Sequence, residues 1–389
     1  MINQYLYSMR WLALLFVTFL AEPAQADSEG CANATRLEHT FSSGASWALC
    51  ADVDEQHALE ITSLHYRAPG DSLRSVLKEI HVGQILMHYH DETDARTQIG
   101  ADTIGRVLPM TARQCDGALL LDSGTGARLC TRVENNRVLA KFAQRPSLQS
   151  QNWELSSALQ RGSLVWTVSV TLTEDGRVRP AVTLSGRPRE TEITPDFASR
   201  LPGNQRQLAR ATVLTNWRMV FNLDSGAFDS VQQFDFVLNE SLGNRRPMQI
   251  TELDSEGFAA VERTGFRGWR IVDATGAGYY LDPFNSGFNY NAGQENWALF
   301  DVGLSRYNNC ERYAMNNLTI DDQGESCGAS LDDFVNGETL QNAHPVLWFS
   351  QSRPFNPSNE DWPVISNLHQ SFTLLPFDWT QASPFEVIE

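Results

Sequence analysis

His344-Pro-Val-Leu-Trp-Phe-Ser-Gln-Ser-Arg-Pro-Phe355 runs on into Asn356-Pro-Ser-Asn-Glu-Asp-Trp-Pro-Val364, and this is the most informative stretch of the chain. Val346 to Phe349 reads as a strand, because β-branched and aromatic side chains suit a pleated, half-buried surface. Working outward, Val213 to Leu223, Phe234 to Leu238, Trp269 to Val272 and Phe372 to Leu375 read the same way. Ser163 to Thr173 is a further strand that meets Glu174-Asp175-Gly176, a hairpin-type turn, before Val178 to Leu184 resumes. Short strands separated by Gly, Asn and Pro turns point to an all-β protein, a large antiparallel β-sandwich with few helices. One helix is expected, over Pro195 to Ala211. No internal repeat or Pro/Ser-rich linker divides the chain, so residues 27–389 read as one domain.

The first residues read differently. Trp11 to Leu20 form an apolar run behind Arg10, followed by Ala24-Gln25-Ala26, the small-x-small pattern of a signal peptidase site. Residues 1–26 are therefore expected to be a signal peptide, and the protein secreted or periplasmic. No stretch approaches the roughly 20 apolar residues of a membrane helix, so no membrane insertion is expected. All six cysteines follow that site and fall into sequence-local pairs: Cys31 with Cys50, Cys115 with Cys130, Cys310 with Cys327. Other connectivities are open from sequence alone. An oxidising compartment would keep such bridges closed, each worth on the order of 3 kcal/mol in the chain-entropy estimate. No Cys-x-x-Cys occurs, which argues against thiolate metal ligation. A formal charge of −17 with no basic run argues against nucleic acid and anionic membrane as partners.

Several segments, in order, complete a pattern. Asp71 to Ile80 continues to Met87-His-Tyr89; Gln98-Ile-Gly100 leads to Gly105; Cys115-Asp-Gly-Ala precedes Cys130; Gly176 and Gly186 follow. Phe221-x-Leu223-Asp224, Arg267-Gly-Trp269-Arg-Ile-Val, Gly278-Tyr-Tyr-Leu-Asp-Pro283 and Glu311-Arg-Tyr313 come next, and then the stretch quoted above. Together they resemble the catalytic domain of copper amine oxidases, the topaquinone-dependent primary amine oxidases, over about residues 40 to 385. The most specific piece is Pro345-Val-Leu-Trp348 joined to Glu360-Asp-Trp-Pro-Val364. The resemblance implies the family's catalytic β-sandwich without the small domains that usually precede it. It also implies that Cys115 to Cys130 is the family's disulfide, and that the protein is a homodimer.

In that family a copper ion held by three histidines drives conversion of one tyrosine to topaquinone, and the quinone oxidises primary amines with an aspartate as base. Here the resemblance places Thr215 and Trp217 at the His-x-His ligand pair and Phe355 at the third ligand. Trp and Phe offer no lone pair to copper, and no histidine occurs between His90 and His344. Leu164 falls at the quinone position, and no tyrosine lies between Tyr89 and Tyr279. Gln98 falls at the base position and cannot take a proton as a carboxylate would; Asp102, four residues on, is a displaced candidate. Asn289-Tyr290-Asn291 echoes the local motif of quinone formation but stands well after the ligand region. Tyr89 falls at the tyrosine that hydrogen-bonds the quinone. At the family's peripheral calcium site Asp224 remains, while Gly226 and His344 replace other ligands.

Neither copper nor topaquinone is therefore expected as cofactor. The apolar replacements predict a filled core, with Trp217 facing Phe355 across the interior at aromatic contact. The function read from the sequence is an exported, non-catalytic binding or assembly protein with a protein or small-molecule partner of unknown identity. The alternative is a divergent amine oxidase-like or other metal-dependent oxidoreductase with a site rebuilt around His88, Tyr89 and His90. Two imidazoles at alternate strand positions share a face, and Asp91, Glu92 or Asp94 could complete a zinc or copper site.

Overall fold

Alternating apolar residues place one face of most strands against a common interior, and a computed structural model shows two large sheets doing so. It describes residues 31–389 except 32–33, 91–94, 123–125, 142–147, 193–195, 225–227, 244, 263, 284–294, 382, 384 and 386–389. Residues 1–26, expected to be a signal peptide, and Asp91, Glu92, Asp94, Gly226 and Asn289 to Asn291 thus lie outside the described residues. Cys31–Glu389 form one unit.

Among the described residues, the first sheet orders its strands Thr35–Thr40, Ser46–Asp52, Glu60–Arg67, Arg74–Tyr89, Ala211–Phe221, Pro345–Phe355, Val302–Arg306 and Gly257–Ala259, with Arg96–Ile99 added against Arg74–Tyr89. The second runs Met248–Glu252, Ser230–Phe236, Gly268–Val272, Gly278–Asp282, Thr373–Phe377, Val178–Gly186, Leu164–Thr173, Leu148–Arg161, Ala127–Ala140 and Ala118–Asp122. All pairings in both sheets are antiparallel. Trp47, Trp217 and Phe349 of the first sheet share one core with Trp153, Trp166, Trp269 and Tyr279 of the second. A smaller core covers the other face of the first sheet, where Leu214, Val220 and Trp348 pack against Trp297, Leu331 and Phe334. The strand Ala211–Phe221 is thus buried on both faces along its whole length, which is why its sequence shows little alternation.

The Glu174-Asp175-Gly176 turn is held by three aromatic donors from outside the hairpin. Trp47 Nε1 donates to Thr173 O at 2.9 Å, Tyr66 Oη to Glu174 O at 2.9 Å and Tyr279 Oη to Gly176 O at 3.0 Å. Gly176 sits at φ +84°, and a Cβ there would meet the Tyr66 ring at 2.9 Å. The three disulfides are Cys31–Cys50, Cys115–Cys130 and Cys310–Cys327.

Two expectations need correction. The helix expected over Pro195 to Ala211 is instead a hairpin of Ala198–Arg200 with Gln207–Ala209, and Ala211 begins a central strand. Pro202-Gly203-Asn204 would stand in the interior of such a helix, where Pro and Gly are the most costly residues. The expected contact between Trp217 and Phe355 is also absent. Both are buried, but Phe355 lies opposite Ala211 in the ladder while Trp217 lies opposite Phe349. Six residues of strand separate the two, about 20 Å at ~3.4 Å per residue. Trp217 meets Phe372 instead, edge to face at 6.0 Å between ring centroids.

Candidate functional site

Three neighbouring strands carry most of the positions singled out in the sequence. Tyr89, Ala211 and Phe355 form one row across them, and His88, Thr212 and Pro354 form the next. Thr215 stands further along the central strand, opposite Ile85 and Gln351, and Trp217 opposite Val82 and Phe349. Leu164 belongs to the other sheet, opposite Gly186 and Arg161, with its side chain in the shared core. Gln98 pairs with Leu86 on the short added strand, and its amide donates to Thr103 Oγ1 at 3.3 Å. Asp102 is exposed, accepting from Thr103 Oγ1 at 3.0 Å and from Asn316 Nδ2 at 3.0 Å.

This donor set does not fit copper. A nitrogen site for copper takes imidazole; Thr215 offers a buried hydroxyl without a protein hydrogen-bond partner, Trp217 an indole N–H that can only donate, and Phe355 nothing. The ladder also keeps Phe355 away from the other two positions.

His88 and His90 lie at the end of the Arg74–Tyr89 strand with ring centroids 6.2 Å apart. His90 Nε2 is 2.8 Å from Thr212 Oγ1, and its pKa is lowered first by burial and then by the His88 charge. Tyr89 between them is buried, with the Arg189 guanidinium 5.1 Å from its ring. At the calcium position of the resemblance, Asp224 is paired with Arg74 at 3.1 Å, and the same guanidinium reaches Asp273 at 3.2 Å and lies over the Trp379 ring at 3.8 Å. An arginine thus supplies the positive charge there. His344 packs against Phe228 at 6.1 Å between ring centroids.

The densest set of titratable groups is one the sequence reading passed over. Glu79 and His81 alternate on one face of the Arg74–Tyr89 strand, and Arg218 of the central strand reaches Glu79 Oε1 at 2.8 Å. Arg312 bridges Glu60 at 2.7 Å and Glu79 at 3.2 Å. His81 Nε2 stands 3.0 Å from Glu79 Oε1, close enough for ion pairing but without hydrogen-bond geometry. The His57 ring lies 4.3 Å from that of His81 and stacks on Tyr313 at 5.1 Å, with its Nδ1 2.7 Å from Asp54 Oδ2. Asp54, His57 and Glu60, and likewise Glu60, Glu79 and His81, have ligand atoms within 4.8 Å of one another. Arg218 and Arg312 already neutralise two of these carboxylates, so the cluster is charge-compensated without an ion. Its signal in the sequence was Glu79-Ile-His81 beside the quoted Glu311-Arg312-Tyr313; nothing local said that they meet.

Buried charge makes this region sensitive to pH. Burial, and then the His57 charge, lowers His81 from its usual 6.5 to about 4. Above pH 6.5 the group is neutral in both states and contributes nothing. Between 6.5 and about 4 the unfolded chain takes up a proton that the folded one refuses, so stability falls as pH falls. Glu311, pushed up to about 8 by burial and then by the Glu256 charge, acts oppositely: the folded protein holds a proton the unfolded one has released, and stability is gained as pH falls below about 8. Relative to a His81→Gln variant, the protein should therefore lose about 1 kcal/mol per pH unit from 6.5 down to 4. Relative to Glu311→Gln it should gain as pH falls below about 8. Urea midpoints across pH 4 to 9 check both, and flat difference curves would refute them.

Residues 257–388 match the family model described as copper amine oxidase, enzyme domain. The copper-containing benzylamine oxidase of Hansenula polymorpha is similar in structure with a TM-score of 0.68 at 15% identity, covering 87% of this chain and 59% of that one. The amine oxidase of Aspergillus nidulans gives 0.69 at 15% identity, covering 97% and 56%. The lysyl oxidase of Pichia pastoris gives 0.70 at 12% identity, covering 94% and 56%. The chain thus spans a little over half the length of these structures. No curated protein sequence matches it. The chain is thus similar to copper amine oxidases: its last third matches the model of their enzyme domain, and its fold is that of these solved structures.

Proposed function

We propose that this is an exported, non-catalytic protein built on the copper amine oxidase fold, acting as a binding or assembly protein. The observation that carries the reading is the chemistry of Thr215, Trp217 and Leu164, all buried and none with an imidazole or a phenol; Phe355, which the resemblance puts at the third ligand, lies six residues along the ladder from Trp217. A protein that had merely changed substrate would keep the metal ligands and the cofactor tyrosine. Export is supported by three disulfides, which oxidising compartments keep closed, and among the described residues no helix is long and apolar enough to cross a membrane. Pairing into a homodimer belongs to the same reading, by analogy with the family. The purified protein should stain negative for a redox-cycling quinone and release no peroxide from primary amines after copper loading, and light scattering at micromolar concentration should report a dimer. Quinone staining or amine turnover would overturn the non-catalytic reading.

One arrangement favours the competing reading of a rebuilt metal-dependent oxidoreductase: His88 and His90 sit together beside Tyr89 at the strand end. Stoichiometric zinc or copper in the purified protein, lost on His88→Ala or His90→Ala, would decide for it.

A further inference from the structure

The outer face of an antiparallel sheet normally carries polar residues toward water. At one end of the second sheet it does not. Phe234 and Phe236 project from Ser230–Phe236 on the face opposite the core residue Val231, Tyr280 lies between the core residues Tyr279 and Leu281, and Phe377 ends the neighbouring strand. With Phe266 they wall a cavity of about 580 Å³, within the range of small-molecule sites. Phe234 stands edge-on to Phe236 at 6.4 Å and to Tyr280 at 5.9 Å, and Phe236 edge-on to Phe266 at 6.4 Å between centroids. Gly268 makes room: a Cβ there would lie 2.4 Å from the Phe234 ring. Met248, half exposed, stands at the rim.

Two cations line this apolar box. Arg270 lies over Phe377 at 4.4 Å and donates from Nε to Gln232 Oε1 at 2.7 Å; Arg246 donates to Thr264 O at 2.9 Å and Phe236 O at 3.4 Å. Among the described residues neither has a carboxylate within ion-pairing distance; the neighbouring Asp235 is taken by Arg267 at 2.8 Å. Five donors on each guanidinium leave several free for a planar anion. An aromatic box alone would suit a cation, but two arginines in its wall disfavour one, and a carboxylate would make charge-assisted contacts with exposed Arg246 and partly buried Arg270 that a neutral apolar molecule cannot. We propose that this cavity binds a monocarboxylate with an apolar body, of the size of a medium-chain fatty acid, its carboxylate on Arg246 and Arg270 and its chain against the aromatic wall. The site is on the outer face of the second sheet, whereas Tyr89, Ala211 and Phe355 belong to the first, so it stands whether or not the protein has an oxidase-type centre.

Calorimetric titration of the full chain with dodecanoate, dodecanol and dodecyltrimethylammonium tests this directly. Dodecanoate should bind at one site, at least tenfold more tightly than the alcohol, and the cation not at all. Arg246→Gln and Arg270→Gln should each weaken dodecanoate by about tenfold and leave the alcohol unchanged, since an arginine–carboxylate contact is charge-assisted. Met248→Glu, on a fully exposed strand, should abolish dodecanoate binding without altering the fold. Equal binding of all three ligands, no binding, or dodecanoate affinity unmoved by these changes would overturn the proposal. So would a self-association that Met248→Glu breaks while dodecanoate has no effect, since the face would then be a contact between copies.

Discussion

Replacing Arg218 by alanine is expected to cost about 3 to 5 kcal/mol, the range for breaking a buried ion pair by removing one partner. Its side chain is fully buried in the most enclosed strand of the first sheet, donating to Glu79 Oε1 at 2.8 Å and to Asn308 O at 3.1 Å. The guanidinium also lies 5.6 Å from the rings of Tyr307 and Trp348. Alanine leaves Glu79 in the interior with only Arg312 and the histidine beside it, and opens a cavity along the lost stem. Glu79→Gln should also be destabilising, and the double variant should cost clearly less than the two singles summed, because each single strands a partner that the double removes. Arg218→Met, which restores volume but no charge, should fall between wild type and alanine. The urea midpoint at unchanged m-value is the measure. A loss under about 1 kcal/mol for Arg218→Ala would mean that the network is solvated, against the full burial seen here.

Trp217→Ala should be comparably severe, about 3 to 5 kcal/mol, as for other large core truncations. Its ring is fully buried, edge-on to Phe372 at 6.0 Å, and Phe372 in turn meets Phe349 at 4.8 Å. Two rings of the first sheet and Phe372, at the junction of Ile365–Ser371 and Thr373–Phe377, thus close the core at one place, and losing the largest leaves a space the other two cannot fill. Trp217→Phe should recover most of the loss for a further reason. The indole Nε1 is buried without a protein acceptor, so phenylalanine gives up volume but sheds an unsatisfied donor. If Trp217→Phe were as damaging as alanine, an unseen partner for that N–H would have to be holding the site together.

Residues on one strand were easy to place and residues on different strands were not. Thr215 and Trp217 do share a face of Ala211–Phe221, because alternation within a strand is local geometry. Their relation to Phe355 depends on the register of a strand more than a hundred residues away, and the ladder sets Phe355 opposite Ala211. The same limit hid the ionic cluster: Glu60, Glu79, Arg218 and Arg312 come from four distant segments, and only Glu79 and His81 are near enough in sequence to be read together. The aromatic box was hidden differently. Phe234, Tyr280 and Phe377 each look like ordinary core residues of a strand, and which face they occupy follows from their neighbours Val231, Tyr279 and Leu374 having taken the interior.

By itself the sequence determined the all-β class, the main strands and the Glu174 to Gly176 hairpin, because strand propensity, period-two alternation and turn chemistry act within a few residues. It also showed that Thr215, Trp217, Phe355 and Leu164, which the resemblance assigns to copper ligands and quinone, carry neither imidazole nor phenol, since that is a matter of residue identity alone. The tertiary structure decided which of these positions meet. It moved Phe355 away from Trp217, put Arg74 beside Asp224, gathered Arg218 and Arg312 around Glu79, and turned a set of phenylalanines outward around two arginines. The physical reason is that pairing register and sheet order are set by the burial of the whole assembly, and a shift of one residue would turn every side chain of a strand to its other face.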